Sequence, residues 1–370
     1  MAKGKRKIYL WIIIVLGLLC LLFVIGVFVL TMPSPTLDKR IAEFEARRKI
    51  PDAENAAVIY DKLFKDANFT AIFVDSNFIK MSDSIEYSKP WMSKDYPETA
   101  EWIKNQQKFI NELLKASKFE KCYFPIPTNT EEDSSHFDKL RMLRNIAQLM
   151  VYTANNDIGE GRINDAIEKY RFTIKLAEHI YQQPLFIDYM FGWVVELSAV
   201  DCLNELILKT EISEEQLKAI ESIHIQIADT WQQHSQQKSE GERLWADKVN
   251  NKHIISFDYI SAIFTRQHTL KDSLKDRYKS YLRLLAKKRA NRILIGLRKY
   301  KNQNGQWPDN LEQIKSLVEP IVLIDPQNSG SFVYKKTDDG FTLYSKGPNN
   351  IDEGGKSDEP ADDYMIWPKM

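Results

Sequence analysis

The chain has 370 residues, with 51 basic and 51 acidic side chains and a formal net charge of zero. Four basic residues precede the first apolar segment, and the rest of the chain, with 47 basic and 51 acidic side chains, has a net charge of −4. Because nucleic-acid binding needs a basic surface, this composition argues against a nucleic-acid partner. A hydrophobic content of 44% also argues against a largely disordered chain.

The first predicted element is a membrane anchor. No charged residue occurs from Ile8 to Leu30, and a helix of this length, roughly 35 Å, spans a bilayer. Cleavable signal peptides have shorter apolar cores of about 7–15 residues, so an uncleaved single-pass anchor is favoured over a signal peptide. The segment directly follows four basic residues, which predict a cytoplasmic N-terminus: Lys3, Lys5, Arg6 and Lys7.

Helical periodicity dominates the chain from residue 36 to about residue 305. Apolar residues such as Trp102, Ile110 and Leu113 recur at helical spacing within 96–117. Residues 68–92 show no steady period and predict a loop with short turns. Further helical patterns cover four successive ranges, which glycine, proline and serine residues separate: 136–156, 162–182, 186–209 and 213–250.

One helical pair resembles a tetratricopeptide-type hairpin. Its second helix follows Gly161, places the small Ala166 where two helices approach closely, and places Tyr170 beside that contact. An ordinary helical hairpin in a bundle explains the same pattern. Since no second copy follows in the chain, we expect an irregular helical bundle or a TPR-like α-solenoid rather than a regular repeat array.

A small β module is predicted at the C-terminus. A last helix, roughly 276–302, ends at Asn304-Gly305, and 311–318 predicts a short helix. Alternating residues in 331–336, 340–345 and 364–367 predict three strands. The predicted fold class is therefore mainly α, with a transmembrane helix, an irregular helical domain and a C-terminal antiparallel β module. The predicted domain limits are 1–31, 32–275 and 276–370.

Several C-terminal motifs follow one another in a characteristic order. Tyr300 precedes an N-G-Q-W-P segment at 304–308, Asp325-Pro326 follows, and D-G-F-T-L-Y-S-K-G occupies 339–347 before Gly354-Gly355. This order resembles the C-terminal half of the major pseudopilins of type II secretion. The chain lacks a prepilin-peptidase motif before its apolar segment and carries a large helical domain, so the resemblance implies a related module rather than a pilus subunit.

The overall layout is also similar to a group of membrane proteins. Four short segments resemble those of uncharacterised membrane-anchored proteins of planctomycete and lentisphaerae bacteria: Asn55-Ala-Ala, Cys122-Tyr-Phe-Pro, Gly241-Glu-Arg243 and Ile366-Trp-Pro368. No activity comes with that resemblance. It implies a protein of the bacterial inner membrane, with a cytoplasmic N-terminus and a periplasmic or otherwise extracytoplasmic domain. Envelope or secretion proteins are the expected partners.

The pseudopilin resemblance implies a calcium site in the loop before the last strand. Calcium takes six to eight oxygen ligands from carboxylates, amides and backbone carbonyls. The expected ligands, by motif order, are Asn349, Asp352, Asp362 and Asp363. Asn349 stands where the family usually has Asp, which lowers the ligand charge, and Asp352 can compensate. A solvated acidic loop without an ion explains the same residues.

No motif assigns a reaction. The six histidines form no H-E-x-x-H pair, and neither a G-x-S-x-G elbow nor a glycine-rich phosphate loop occurs. We therefore expect a non-catalytic protein-interaction or envelope- and secretion-associated component, with no small-molecule substrate and no catalytic residue identified. The alternative is an envelope hydrolase that uses two carboxylates in a cleft of the helical domain.

Two further features are ambiguous from sequence. Cys122 and Cys202 either form a disulfide in an oxidising compartment or remain as buried thiols, because each lies beside apolar residues. The basic run from Lys287 to Arg289 lies on an amphipathic helix and is predicted to form a solvated face.

Overall fold

A computed structural model describes residues 35–250, 257–338, 340–358 and 360–368. The predicted membrane anchor, Ile8–Leu30, lies outside these residues. No helix within the described ranges is long and apolar enough to cross a membrane. The described chain is mainly helical and ends in a three-stranded antiparallel sheet, which confirms this part of the predicted fold class.

The helices follow one another in the order of the predicted patterns, with bounds that differ from them in places. They are α1 (Pro35–Arg48), α2 (Ala57–Phe64), α3 (Ala67–Ala71), α4 (Ser76–Ser84), α5 (Pro97–Asn105), α6 (Gln107–Ala116), α7 (Thr130–Gly159), α8 (Ile163–Tyr181), α9 (Phe186–Lys209), α10 (Glu214–Glu221), α11 (Trp231–Asn250) and α12 (Phe257–Asn304).

The hairpin of α7 and α8 lies at the centre of the fold. Gly161 has a φ of +77°, a left-handed conformation that glycine adopts without a Cβ penalty, and the chain reverses direction there. Ala166 is completely buried, and the buried Tyr170 donates a hydrogen bond to Asn155 Oδ1 at 2.5 Å. Because α8 also packs against α9, its small and aromatic residues are enclosed on both sides.

The prediction of a loop at 68–92 was wrong, because short capped helices lie there. Asp66 accepts hydrogen bonds from the backbone N–H groups at the start of α3, and Asp75 accepts one from Asn77 at the start of α4. The aromatic rings of Phe69, Phe73 and Phe78 then pack edge to face in succession. Helices of five and nine residues are too short to show a repeating apolar period.

The predicted solvated face at 287–289 was also wrong. Lys288 and Arg289 are 6% and 5% exposed. Lys288 forms an ion pair with the buried Glu196 at 2.8 Å, and Arg289 donates to the carbonyl oxygens of Ile227 and Ile324 at 3.0 and 2.9 Å. These basic groups are buried because α12 is packed between the rest of the helical domain and the C-terminal segment.

The two described cysteines are buried in different parts of the core. Cys122 belongs to a cluster built mainly from α2–α8, whereas Cys202 belongs to the cluster around α9 and α12. No disulfide joins them. The buried-thiol alternative therefore describes this pair.

The sheet shares its core with the helices. Its strands are β1 (Val333–Lys336), β2 (Phe341–Ser345) and β3 (Tyr364–Trp367), paired antiparallel in that order. Phe341, Leu343 and Ile366 lie in the same apolar cluster as Leu294 and Leu297 of α12. One continuous core therefore joins the C-terminal module to the helical domain.

Helix α1 is packed along α11 in the opposite direction. Asp38 pairs with Lys248, and Arg47 pairs with Glu240 at 2.7 Å, so the start of α1 lies beside the end of α11. Between these ion pairs, apolar residues of α1 form a cluster with Leu244. The chain that follows the predicted anchor is therefore joined directly to the folded domain.

Gly241 on α11 is expected to tolerate no side chain. An added Cβ would lie 2.4 Å from the carbonyl oxygen of Pro184, so Gly241→Ala must displace the backbone that precedes α9. Overpacking of this kind costs about 1–3 kcal/mol. We expect a lower melting temperature for Gly241→Ala but not for the exposed neighbour variant Ser239→Ala. Equal melting temperatures for the two variants would show that this contact adapts without cost.

Candidate functional site: an acidic cluster in the C-terminal module

The connection between β2 and β3 is an acidic loop that turns back on itself. Gly354 and Gly355 have φ values of +78° and +86°, and two consecutive left-handed residues reverse the chain sharply. The reversal brings Glu353 close to Asp362 and Asp363, which immediately precede β3. The site therefore depends on the backbone of the loop and on the start of the last strand.

Three carboxylates converge at this point. Glu353, Asp362 and Asp363 each offer one ligand oxygen, and these atoms all lie within 4.8 Å of one another. One oxygen of each group, Glu353 Oε2, Asp362 Oδ1 and Asp363 Oδ1, is buried and has no hydrogen-bond partner. Asp363 itself is only 1% exposed. Buried carboxylate oxygens without partners are costly, and a bound cation removes that cost.

The second oxygen of each carboxylate holds its side chain in place. Gly355 N–H donates to Asp363 Oδ2 at 2.7 Å, and Asn349 N–H donates to Asp362 Oδ2 at 3.3 Å. The Asn349 side-chain amide donates to Glu353 Oε1 at 2.8 Å. Each carboxylate is thus fixed through one oxygen while the other oxygen keeps its full acceptor capacity.

Gly347 brings the backbone after β2 into contact with Asp362. Its φ is +63°, and an added Cβ would lie 2.2 Å from Asp362 Oδ1 and 2.3 Å from the Asp362 carbonyl oxygen. Only glycine permits both the left-handed conformation and this close approach. Gly347 therefore sets the position of one of the three carboxylates.

The electrostatics of the cluster oppose three separate negative charges. Burial raises the pKa of Asp363 above its usual range, and the negative charge of the neighbouring Glu353 raises it further. In the absence of a cation, Asp363 therefore keeps its proton to a higher pH than an isolated aspartate does. A divalent cation reverses this preference because its charge stabilises the ionised carboxylates.

The contribution of Asp363 to the stability of the metal-free chain should fall as pH rises through the window between the usual aspartate pKa and the raised native pKa of Asp363. The native state holds this proton more tightly than the unfolded chain, so this contribution to the free energy of unfolding decreases as the proton is lost. The melting temperature of the wild type relative to that of Asp363→Asn, which has no such proton, should therefore fall across this window. Identical slopes for the two chains would contradict the assignment.

The structure brings together some of the predicted ligands and separates others. Asp362 and Asp363 lie in the cluster, and Asn349 lies beside it as a hydrogen-bond donor, with its Oδ1 occupied by Ile351 N–H at 2.7 Å. Asp352 is directed elsewhere. Its Oδ1 accepts from the Tyr344 hydroxyl at 2.6 Å and from Gly354 N–H at 2.9 Å.

Asp352 takes part in a separate polar contact. The Tyr344 hydroxyl hydrogen bond is the main cause that lowers its pKa, and Lys335 contributes at 3.3 Å. Sequence reasoning instead missed Glu353. Its position immediately before Gly354-Gly355 was the available signal, because a left-handed turn at these glycines redirects the residue that precedes it.

The donor set suits a hard divalent cation. Three carboxylates supply oxygen ligands only, which calcium prefers, and its remaining coordination of about three to five oxygens can come from backbone carbonyls and water. Zinc sites usually include His or Cys ligands, and the cluster contains neither. The arrangement therefore supports ion binding, and its oxygen-only donor set fits calcium.

The helical domain contains a separate cleft of about 920 Å³ between α5–α6 and α7–α8. Its buried carboxylate is Asp157, which is 5% exposed. Asp157 accepts hydrogen bonds from Arg162 Nε at 2.8 Å and from the Lys169 amine. This carboxylate is engaged in two ion pairs, whereas a hydrolase of the predicted kind needs two carboxylates that face the substrate.

Comparisons with known proteins add no relative. No protein-family model matches the chain, and neither a curated protein nor a solved structure is significantly similar to it. The acidic cluster and the packing around it are therefore the basis for assigning a function.

Proposed function

We propose that the protein is a single-pass, membrane-anchored extracytoplasmic component of the bacterial envelope whose C-terminal module binds calcium and docks envelope or secretion proteins, without catalysing a reaction. The observation that carries the calcium assignment is the cluster of Glu353, Asp362 and Asp363, each with a buried oxygen that lacks a partner. The order of the C-terminal motifs, which resembles that of the major pseudopilins, supports the same assignment.

Calcium in this position would fasten the last strand to the loop that precedes it. Asp362 and Asp363 immediately precede β3, and Glu353 belongs to the loop after β2. In turn, β3 lies against the helical domain, where Lys209 is 5.4 Å from the ring centre of Trp367 and Lys287 is 5.7 Å from that of Tyr364. The ion would therefore stabilise the module and its contact with the helices.

The proposed anchor fits the position of α1. This helix begins at Pro35, shortly after the apolar segment, and packs along α11. In a protein anchored by Ile8–Leu30, the end of the domain that carries the Asp38–Lys248 pair would face the bilayer. The packed α1 leaves only a few residues between the bilayer and the folded domain.

A crosslinking experiment in isolated membranes tests the docking function. Membranes with the full-length protein are crosslinked in calcium or in chelator, and captured proteins are identified by mass spectrometry against a control chain of residues 1–35. We expect chelator to reduce the capture of envelope or secretion proteins relative to calcium. The same reduction should occur with Asp362→Asn/Asp363→Asn in calcium.

Equal recovery of captured proteins in calcium and in chelator would show that docking does not depend on the ion site. Recovery equal to that of the 1–35 control in every condition would contradict the docking function itself.

A further inference from the structure

The sheet has an open edge at β1, its outer strand. Thr337 and Gly340 exchange backbone hydrogen bonds of 3.0 and 3.4 Å across the turn to β2. Hydrogen-bonded and non-bonded pairs alternate along an antiparallel ladder, and the register is continuous from this turn. Lys335 and Val333 therefore bond to β2, and the backbone groups of Tyr334 and Lys336 face away from it.

The outward groups belong to Tyr334 and Lys336. No backbone hydrogen bond from another part of the described chain reaches them. Their side chains are held on one face of the sheet, since the Tyr334 hydroxyl donates to the Pro308 carbonyl oxygen and the Lys336 amine pairs with Asp309, both at 2.7 Å. The outward backbone donors and acceptors of β1 are thus available for a further strand.

A slot of about 490 Å³ adjoins this edge. Two 3-10 turns, Leu311–Ile314 and Pro320–Leu323, border it. At one end of the slot, Ile324 and Ser331 form a single antiparallel bridge. Beyond this bridge, no strand of the described chain pairs with the outer side of β1. Six of its ten lining residues are apolar or aromatic, and the other four are Asn310, Glu312, Lys315 and Ser331. The six are Leu311, Pro320, Leu323, Ile324, Phe332 and Tyr334.

We propose that this slot binds one extended, uncharged and apolar segment of another protein, which adds to β1 as a fourth strand. Backbone hydrogen bonds to Tyr334 and Lys336 would supply the pairing, and alternate side chains would enter the slot. The charged groups that line the slot, Glu312 and Lys315, already form an ion pair with each other. A charged segment would therefore find no unpaired partner there.

A second copy of the same chain is the less suitable occupant. Pairing of two β1 edges would bring Lys335 and Lys336 of both copies together, and like charges across a strand pair are destabilising. The proposal rests on the docking role of the module and does not depend on its calcium. Strand addition should therefore persist, at least in part, in chelator.

Selection from a random peptide library tests the proposal. The full chain is immobilised, and displayed peptides of about 10 residues, the upper length of a typical strand, are selected for binding. We expect enriched peptides to have alternating apolar residues and to slow hydrogen exchange of the Tyr334 and Lys336 amides. Failure to enrich any peptide, or enriched peptides that leave both amides unprotected, would overturn the proposal.

Edge variants provide the specificity control. Lys336→Pro removes an outward N–H and leaves the ladder to β2, because proline is tolerated on edge strands; it should weaken peptide binding about tenfold. Ile324→Glu places a charge in the slot and should weaken binding independently of strand geometry. Ile351→Glu, at an exposed apolar residue outside the slot lining, should bind peptides normally. Equal binding by all three variants would exclude this surface.

Discussion

Calcium is expected to raise the melting temperature of the wild-type chain and to leave that of Asp362→Asn/Asp363→Asn unchanged. A ligand that binds only the native state stabilises it by about 2.7 kcal/mol when its concentration is 100 times the dissociation constant. The two amides keep the size of the carboxylates and remove two of the three negative charges that face the ion. Thermal unfolding with and without millimolar calcium measures the effect.

The matched control for this pair is Asp358→Asn. Asp358 is an exposed carboxylate of the same loop and is not part of the cluster, so its variant should keep the full calcium shift. Magnesium should shift the wild type less, because it demands near-ideal octahedral geometry and gives up water reluctantly. The absence of a calcium shift in the wild type would refute the ion site, and a shift retained by the double variant would place the ion elsewhere.

Gly347→Ala is expected to abolish calcium binding and to destabilise the metal-free chain. A left-handed conformation costs a non-glycine residue about 1–2 kcal/mol, and the new methyl group must also displace Asp362, whose Oδ1 would lie 2.2 Å from it. The displaced carboxylate can no longer meet its two partners. Calcium titration calorimetry and melting temperatures of the variant measure the two effects separately.

Gly354→Ala is the control that distinguishes backbone strain from displacement of the Asp362 carboxylate. Gly354 also has a left-handed φ, +78°, but nothing lies within 4 Å of an added Cβ. It should lose a similar amount of stability through backbone strain and keep more of its affinity for calcium. If the two variants lost calcium affinity equally, the contact between Gly347 and Asp362 would have no specific role in the site.

The sequence predicted the elements whose apolar residues recur with a regular helical or strand period and face the core. The predicted ranges 162–182 and 186–209 match α8 and α9 within one or two residues, and the three strands lie where alternation places them. The burial of Lys288 and Arg289 was not predictable in this way. Their partners, Glu196 and two backbone carbonyls, are distant in sequence, and periodicity reports only one apolar face of a helix.

The candidate site shows the same division. Motif order indicated Asp362 and Asp363, since the acidic residues before the last strand are recognisable by their position. Glu353 and Asp352 are neighbours in sequence, yet one joins the cluster and the other bonds to Tyr344. The backbone turn at Gly354 and Gly355 determines which of the two side chains faces the cluster. The handedness of this turn does not follow from composition or from the spacing of the acidic residues.

The continuous core between the sheet and α12 has a thermodynamic consequence. Phe341, Leu343 and Ile366 share one buried cluster with Leu294 and Leu297, so opening the sheet exposes apolar surface of the helices to water at the same time. The two parts should then lose their structure in one cooperative transition, as a single foldon. A ligand held by the last strand would therefore protect amides of α12 from hydrogen exchange, although it touches none of them.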